Sequence, residues 1–418
     1  MTRSSILSMT RVFALALALG LAVALLPAEP SSAASKRVSS RLFGMTDSDP
    51  LSWPEAKVGA IRLWDSGVTW RQIETRPGVY DFTRLDAAVR TARGNGASVL
   101  LVLGQTPKFH AKRPALPGYN GPGATSMPSI SSWRNYVATV VRRYQGRGLD
   151  YQIWNEANIS GFWGGTPRQM ATLTKVAAKA IRKNDPAADV VSPALATRLT
   201  SQRRWLRDFY ALRTGGRPVG NWLDVVSLQL YPLPKEGPEA SMKLLAASRT
   251  MLGDLDVDKP IWNTEINYGL QTGGGGAARD ISRAKQAAFV ARTYVLNAAN
   301  GVKRVFWYSW DLQNLANTEL SFSSGTPTRA GVAYTVVRDW LVGGRTQDCT
   351  RDSRGTYTCT VTYSGGVKRI YWNPSGKRSV ETVRSATKLV DLRGDAEKLK
   401  GGESLRVGTS PVMVRSRR

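Results

Sequence analysis

Residues 151–158 read YQIWNEAN, an apolar run that halts at an asparagine and a glutamate. The same ending recurs at residues 261–266, IWNTEI, where Trp-Asn again leads into a glutamate. Runs this short, bounded by polar residues, read as buried strands rather than helices. Working outward from them, six more runs of the same kind end near Met45 (RLFGM), Asp65 (AIRLWD), Gly104 (VLLVLG), Ser192 (DVVS), Tyr231 (VVSLQLY) and Trp310 (VFWYSW). Between most of them lie stretches whose apolar positions recur at three and four: 85–93, 133–144, 167–184, 281–300 and 334–341. Nearly continuous apolar strands alternating with amphipathic helices imply a parallel sheet covered on its outside. Eight such units between Met45 and Trp310 match the size of a (β/α)8 TIM barrel. A doubly wound open sheet is the competing α/β arrangement, but no G-x-G-x-x-G follows the first strand. The glycine run Gly273–Gly276 reads as a loop rather than a phosphate cradle, because no Lys-Ser/Thr closes it.

The two ends of the chain have a different texture. Residues 1–34 carry Arg3 and Arg11, a 15-residue apolar run from Val12 to Leu26, and then PAEPSSAAS. This is the pattern of a secretory signal peptide cleaved near Ala34, and the run is short for a membrane span. The expected location is therefore secreted, with no membrane span in the mature chain. From about Gly344 onward, short Thr-, Tyr- and Val-rich segments are punctuated by Gly and Pro. The expected organisation is a barrel over 35–343 followed by a small C-terminal β-sandwich domain over 344–418. Cys349 and Cys359 are the only cysteines, in CTRDSRGTYTC, and export makes a cross-strand disulfide their natural state. A catalytic thiol competes with that reading, but His110 is the single histidine available as its base. The same scarcity disfavours a Ser-His-Asp triad and a histidine-built zinc site, so no metal or other cofactor is expected.

The chain holds 58 Lys and Arg against 31 Asp and Glu; without Arg3, Arg11 and Glu29 of the leader the balance is 56 to 30, a net charge of +26. The cations are scattered, with neither a long basic run nor an aromatic-interleaved nucleic-acid motif. An anionic polysaccharide or cell envelope is favoured as partner over nucleic acid, and an ordinary basic surface over both. Oligomeric state is not legible.

In a barrel of this type the C-terminal strand ends carry the site. Glu156 closes the fourth strand and Glu265 the seventh, 109 residues apart in sequence yet facing one another across the mouth. The bland alternative is a pair of structural ion-pair partners for arginines such as Arg62. Two facing carboxylates, one protonated and one ionised, are what cleavage of a glycosidic bond needs. Environment sets the roles: an apolar surrounding raises one pKa, while an arginine and a tyrosine hydroxyl hold the other down. Arg62, ending the second strand, and Tyr231, ending the sixth, are placed to do this for Glu265, and Asn155 offers an amide beside Glu156.

The blocks IRLWDSGVTWRQIETRPGVYDFTRLDAAV, LVLGQTPKF, IWNEANISGFWGGT, IWNTEINYG and LRVGTSPVMV, in this order, resemble clan A of the glycoside hydrolases and within it glycoside hydrolase family 39, over residues 41–415. The resemblance implies a retaining glycosidase acting on a poly- or oligosaccharide, with Glu156 as general acid/base, Glu265 as nucleophile and Tyr231 bonded to the nucleophile. It further implies Trp307 or Trp310 as the floor of the sugar subsite, with Trp163, Trp64 and Trp70 as weaker aromatic candidates. His110, in the loop after the third strand, is left open between sugar contact and loop capping. Two positions depart from the family pattern. Gln229 stands where many members have a histidine, which puts one polar contact in doubt, and Ala157 replaces a proline after the acid/base glutamate. The rival function is a non-catalytic barrel that grips a glycan or cell-envelope polymer through its positive surface.

Overall fold

In the computed structural model, which describes residues 36–270, 279–311, 317–322 and 325–417, the eight apolar runs form one parallel ring. The leader and the Gly273–Gly276 run lie outside the described residues. The strands are β1 (Phe43–Thr46), β2 (Ala60–Leu63), β3 (Ser98–Leu103), β4 (Leu149–Ile153), β5 in two pieces (Val190–Val191 and Leu195–Ala196), β6 (Val226–Gln229), β7 (Ile261–Ile266) and β8 (Val305–Tyr308). Pairing of Phe43–Thr46 with Val305–Tyr308 joins the first strand to the last. The ring is completed at β5, whose two pieces reach β6 through the Val191–Val225 bridge and the Leu195–Leu228 pair. Between the pieces stands Pro193, which has no N–H to give a ladder.

Seven long helices sheathe the ring: α1 (Thr83–Gly94), α2 (Ile130–Tyr144), α3 (Pro167–Asn184), α4 (Thr200–Tyr210), α5 (Pro238–Gly253), α6 (Arg283–Ala299) and α7 (Arg329–Leu341). The segment 47–59 between β1 and β2 has no helix, so the first of the expected strand-helix units is a loop. The sequence explains the others locally. Helix α1 buries Leu85, Ala88, Val89 and Ala92, one stripe at three- and four-residue spacing. Thr166 and Gln169 close a capping box at the start of α3, with Pro167 in its first turn. Helices α4 and α5 are absent from the periodicity reading because their buried sets are small, Leu206, Phe209 and Tyr210 in the first and mainly small residues in the second.

The residues after α7 form an antiparallel sheet, in which Tyr357–Tyr363, Gly366–Trp372, Val412–Ser416, Ala386–Val390 and Ala396–Lys398 are successive neighbours. A two-stranded ribbon, Arg378–Glu381 with Ser404–Val407, covers its outer face, Val407 packing with Tyr371 and Val414 of the sheet. At the other edge Lys36–Arg37 pairs with Arg345–Thr346, so the chain enters this sheet before it enters the barrel. Ser35–Arg418 is one compact unit. Cys349 and Cys359 are joined by a disulfide that staples the Thr350–Arg351 edge strand to its neighbour. No described helix is long and apolar enough to cross a membrane.

Candidate active site

Strand β2 supplies the base of the site. The side chain of Arg62 is fully buried and each nitrogen of its guanidinium has a partner. Nε donates to Gln152 Oε1 at 2.8 Å, one terminal nitrogen to Glu265 Oε2 at 2.7 Å, and the other to Asn155 Oδ1 at 2.6 Å. A guanidinium stays charged in proteins, so burying one requires an anion beside it. Glu265 is that anion. Its carboxylate also accepts from the Tyr231 hydroxyl at 2.8 Å and from Gln229 Nε2 at 3.0 Å. Burial pushes the Glu265 carboxyl upward, while Arg62 and Tyr231 draw it back.

Glu156 has a different surrounding. It is partly open to solvent at the mouth, yet enclosed closely enough that burial, and then the charge of Glu265, push its carboxyl up to about 8. Arg62 and Arg198 oppose that rise through their charge. Of two coupled carboxyls, the one accepting three hydrogen bonds ionises first and the other keeps the shared proton. The geometry thus makes Glu265 the anion and Glu156 the acid. Solvent reaches both, since Glu265 retains 7% exposure.

Neither glutamate arrives by simple strand alternation. At the end of β4, Trp154 (φ 72°) and Glu156 (φ 44°) both have left-handed backbone, an uncommon state for bulky side chains. The bend is pinned from both sides, by Trp154 N–H to Leu103 O at 2.7 Å and Ala194 N–H to Trp154 O at 3.1 Å. It lets adjacent Asn155 and Glu156 both serve the mouth. In β7 the registers with β6 and β8 shift between Asn263 and Ile266. A bulge there re-aims a side chain, and Thr264 and Glu265 both turn inward, Thr264 Oγ1 lying 2.6 Å from Ser227 Oγ. The two Trp-Asn pairs are therefore not equivalent. Trp154 packs outward against Trp133 and Trp163, whereas Trp262 lies inside the ring with Arg304 stacked 3.7 Å over it.

The structure brings Glu156, Glu265, Asn155, Arg62 and Tyr231 together and packs Trp307, Trp163 and Trp70 away from them. Trp307 is fully buried, packs on Tyr268 in the helical layer and donates to Thr318 O at 3.0 Å. It is not the sugar floor, because in β8 it is Phe306 and Tyr308 that point into the ring. Trp310 is buried, its backbone N–H donating to Thr46 O at the end of β1 at 3.1 Å. Trp163 lies edge-on to Trp154 and hydrogen-bonds Thr166 O, supporting the acid strand from behind. Trp70 is likewise buried, stacked on Tyr136. The aromatic wall beside the site consists of Trp64 and Tyr308 with Tyr119 and Phe162 packed against them. His110 resolves as a loop fastener: its ring stacks near Trp70, and Nε2 lies 2.9 Å from Glu74 Oε1 of the same buried cluster.

Four features escaped the sequence reading. Gln229 makes the polar contacts that its departure from the family pattern put in doubt, reaching both Glu265 and Asn155, the latter at 3.2 Å. Asp65 (φ 56°) is a third carboxylate at the mouth, accepting from Tyr308 at 2.9 Å and bonded by Tyr119. Arg198, beyond β5, places its guanidinium 5.4 Å over the Tyr231 ring. Tyr308 completes the set. Gln229, Asp65 and Tyr308 lie at the ends of recognised strands, but their partners are not visible in the sequence; Arg198 and Tyr119 come from loops.

Eight parallel strands with an acid pair at the ends of the fourth and seventh, and a buried arginine bonded to the second acid and to the asparagine beside the first, define an α/β barrel of glycoside-hydrolase architecture. The chain belongs to the glycosyl hydrolases family 39, whose family model matches residues 58–316. It is 26% identical to a β-xylosidase of Geobacillus stearothermophilus over 138 residues, 31% of this chain and 27% of that one. The matched region is thus about a quarter of that relative's length. Among solved structures, a family 39 glycoside hydrolase from Bacteroides cellulosilyticus superposes with a TM-score of 0.69 at 17% identity, covering 92% of this chain and 83% of the other. A family 39 β-xylosidase from Caulobacter crescentus gives 0.66 at 16% identity, with 93% and 98% covered. At these identities the structural likeness establishes the fold.

Proposed function

We propose that the protein is an exported retaining glycosidase that cleaves β-linked glycosides, xylosides first among them. The observation that carries the proposal is the asymmetry of the acid pair. Glu265 accepts from Arg62, Tyr231 and Gln229, while Glu156 keeps its proton through burial beside it. In the first step a Glu265 oxygen bonds to the anomeric carbon as the bond to the leaving oxygen breaks, and Glu156 gives that oxygen its proton. Glu156, now ionised, takes a proton from water, whose oxygen displaces Glu265 and restores the starting state. Asn155, held by Arg62 and Gln229, is positioned beside the reacting sugar, and the Trp64–Tyr308 wall presents apolar surface to its C–H face. The β-xylosidase match supports the choice of sugar, and the apolar leader supports export.

The test is a panel of aryl β-glycosides assayed with the parent and with Glu265→Gln. The variant should lose roughly four orders of magnitude in kcat, the scale expected when a covalent nucleophile is removed. Turnover within tenfold of the parent would refute the assignment.

A further inference from the structure

The C-terminal sheet carries a feature that the barrel chemistry does not use. Its strands pair so that Lys398 lies directly opposite Lys388, Lys388 opposite Arg415, and Arg415 opposite Lys368. Four cations therefore stand in one row across four adjacent strands, on a single face, spaced by the strand separation of about 4.8 Å. Like charges directly opposite each other in a sheet destabilise it. Lys368 has a structural task that accounts for its charge: its ammonium donates to the carbonyls of Asp339 and Trp340 at the end of α7, at 2.9 and 3.1 Å. Among the described residues Lys388 and Lys398 have no such task, and Arg415 has only the Tyr363 ring against its guanidinium. Lys388, Lys398 and Arg415 are exposed, and among the described residues none of them makes an ion pair. They line a groove of about 480 Å³ together with Arg417, and the one carboxylate there is Glu397. Alternation along its strand turns Glu397 to the opposite face from Lys398.

We propose that this row is a binding surface for an anionic polysaccharide, separate from the catalytic mouth. The repeat favours that partner: cations one strand apart match a polymer that presents one acid group per sugar ring along an extended chain. Nucleic acid fits less well. Single strands are held by stacking on aromatic rings, and none lines this groove. A nearby ring, Tyr363, already lies against the cations of Lys368 and Arg415, at 5.0 and 5.4 Å. Repulsion within the row then has a use, because an acidic polymer laid across it relieves three like-charge contacts at once. Such a surface would hold the protein on carboxylated glycan while the barrel works on neighbouring chains.

The experiment compares the parent with a Lys388→Ala/Lys398→Ala/Arg415→Ala variant for binding to polygalacturonate, to a neutral α-glucan and to a short DNA duplex, with aryl-glycoside turnover measured in parallel. The parent should bind polygalacturonate, ignore the neutral glucan, and release the polymer as salt rises. The triple variant should bind about tenfold or more weakly with turnover unchanged. Its unfolding midpoint should equal or exceed the parent's, since repulsion has been removed, which separates lost binding from lost folding. Equal binding by parent and variant, no binding by either, or a preference for DNA at matched ionic strength would each overturn the proposal. Because binding is read apart from turnover, a failure here leaves the catalytic assignment untouched, and the reverse.

Discussion

At the residue scale, two chemically identical side chains acquire different protonation tendencies from what touches them, and the proposed function gives them opposite tasks. In the proposed reaction Glu156 must be protonated for the first step, and burial, then the charge of Glu265, push its carboxyl from the ordinary 4.5 up to about 8. For nitrophenyl glycosides, kcat/KM of the parent should fall as pH rises past about 8. Glu156→Gln, slower but still able to expel so activated a leaving group, should lose that alkaline limb. The same shift costs stability. A carboxyl raised on folding binds its proton more tightly in the native state, so its contribution is lost progressively as pH climbs from about 4.5 to about 8. Asp47, buried against Asp311, is also raised to about 8 and adds to this trend. Thermal unfolding at pH 9 should therefore find Glu156→Gln more stable than the parent, with the gap closing below pH 5. Arg62→Lys should lower kcat by about 10²-fold, because an ammonium cannot reproduce three bonds fixed by one planar fork. Arg62, Asn155 and Tyr231 were legible because each ends or follows a recognisable strand. Asp65 and Tyr308 also end recognisable strands, but their role was hidden because it depends on bonding to one another across the mouth.

At the element scale, what decides the site is where strands depart from alternation. The eight runs and the carboxylate-bearing ends are visible in the sequence because burial on both faces demands continuous apolar residues. The departures are invisible. Nothing in IWNTEI announces the bulge that brings Glu265 inward, and a strict period of two places Trp307 as readily inside as outside. This is why the sequence offers Trp307, beside Trp310, as the sugar floor while Tyr308 is the residue at the end of β8 that turns inward. Gly104, directly after β3, makes room for the bend at the end of β4: its φ is 145°, and a Cβ there would lie 3.0 Å from the Trp154 ring. Gly104→Ala should destabilise the protein by about 1–3 kcal/mol and reduce kcat by displacing Glu156. Denaturant titration and aryl-glycoside kinetics check the two effects. Trp307→Phe should lower stability with KM unchanged, while Tyr308→Phe should raise KM with little loss of stability.

At the scale of the whole molecule, the second sheet is fastened to the barrel through side chains that sequence periodicity does not distinguish from ordinary surface. Glu239, in the first turn of α5, accepts from Arg292 of α6 at 2.8 Å and from the Trp372 indole at 2.9 Å. Arg292 is nearly buried, so Glu239→Gln strands its charge and should cost about 2–3 kcal/mol, less than a fully buried pair because Glu239 is partly wet. The change of texture near Gly344 located this sheet, but its first strand, Lys36–Arg37, lies three hundred residues upstream and two residues carry no pattern. Everything else rests on Glu265 as the atom donor to the anomeric carbon, and trapping tests that directly. An activated 2-deoxy-2-fluoro β-xyloside should label the intact parent once, with the added mass recovered on the peptide containing Glu265 and absent from Glu265→Gln. Label on any other residue, or full turnover of the parent xyloside with no trapped adduct, would contradict the account.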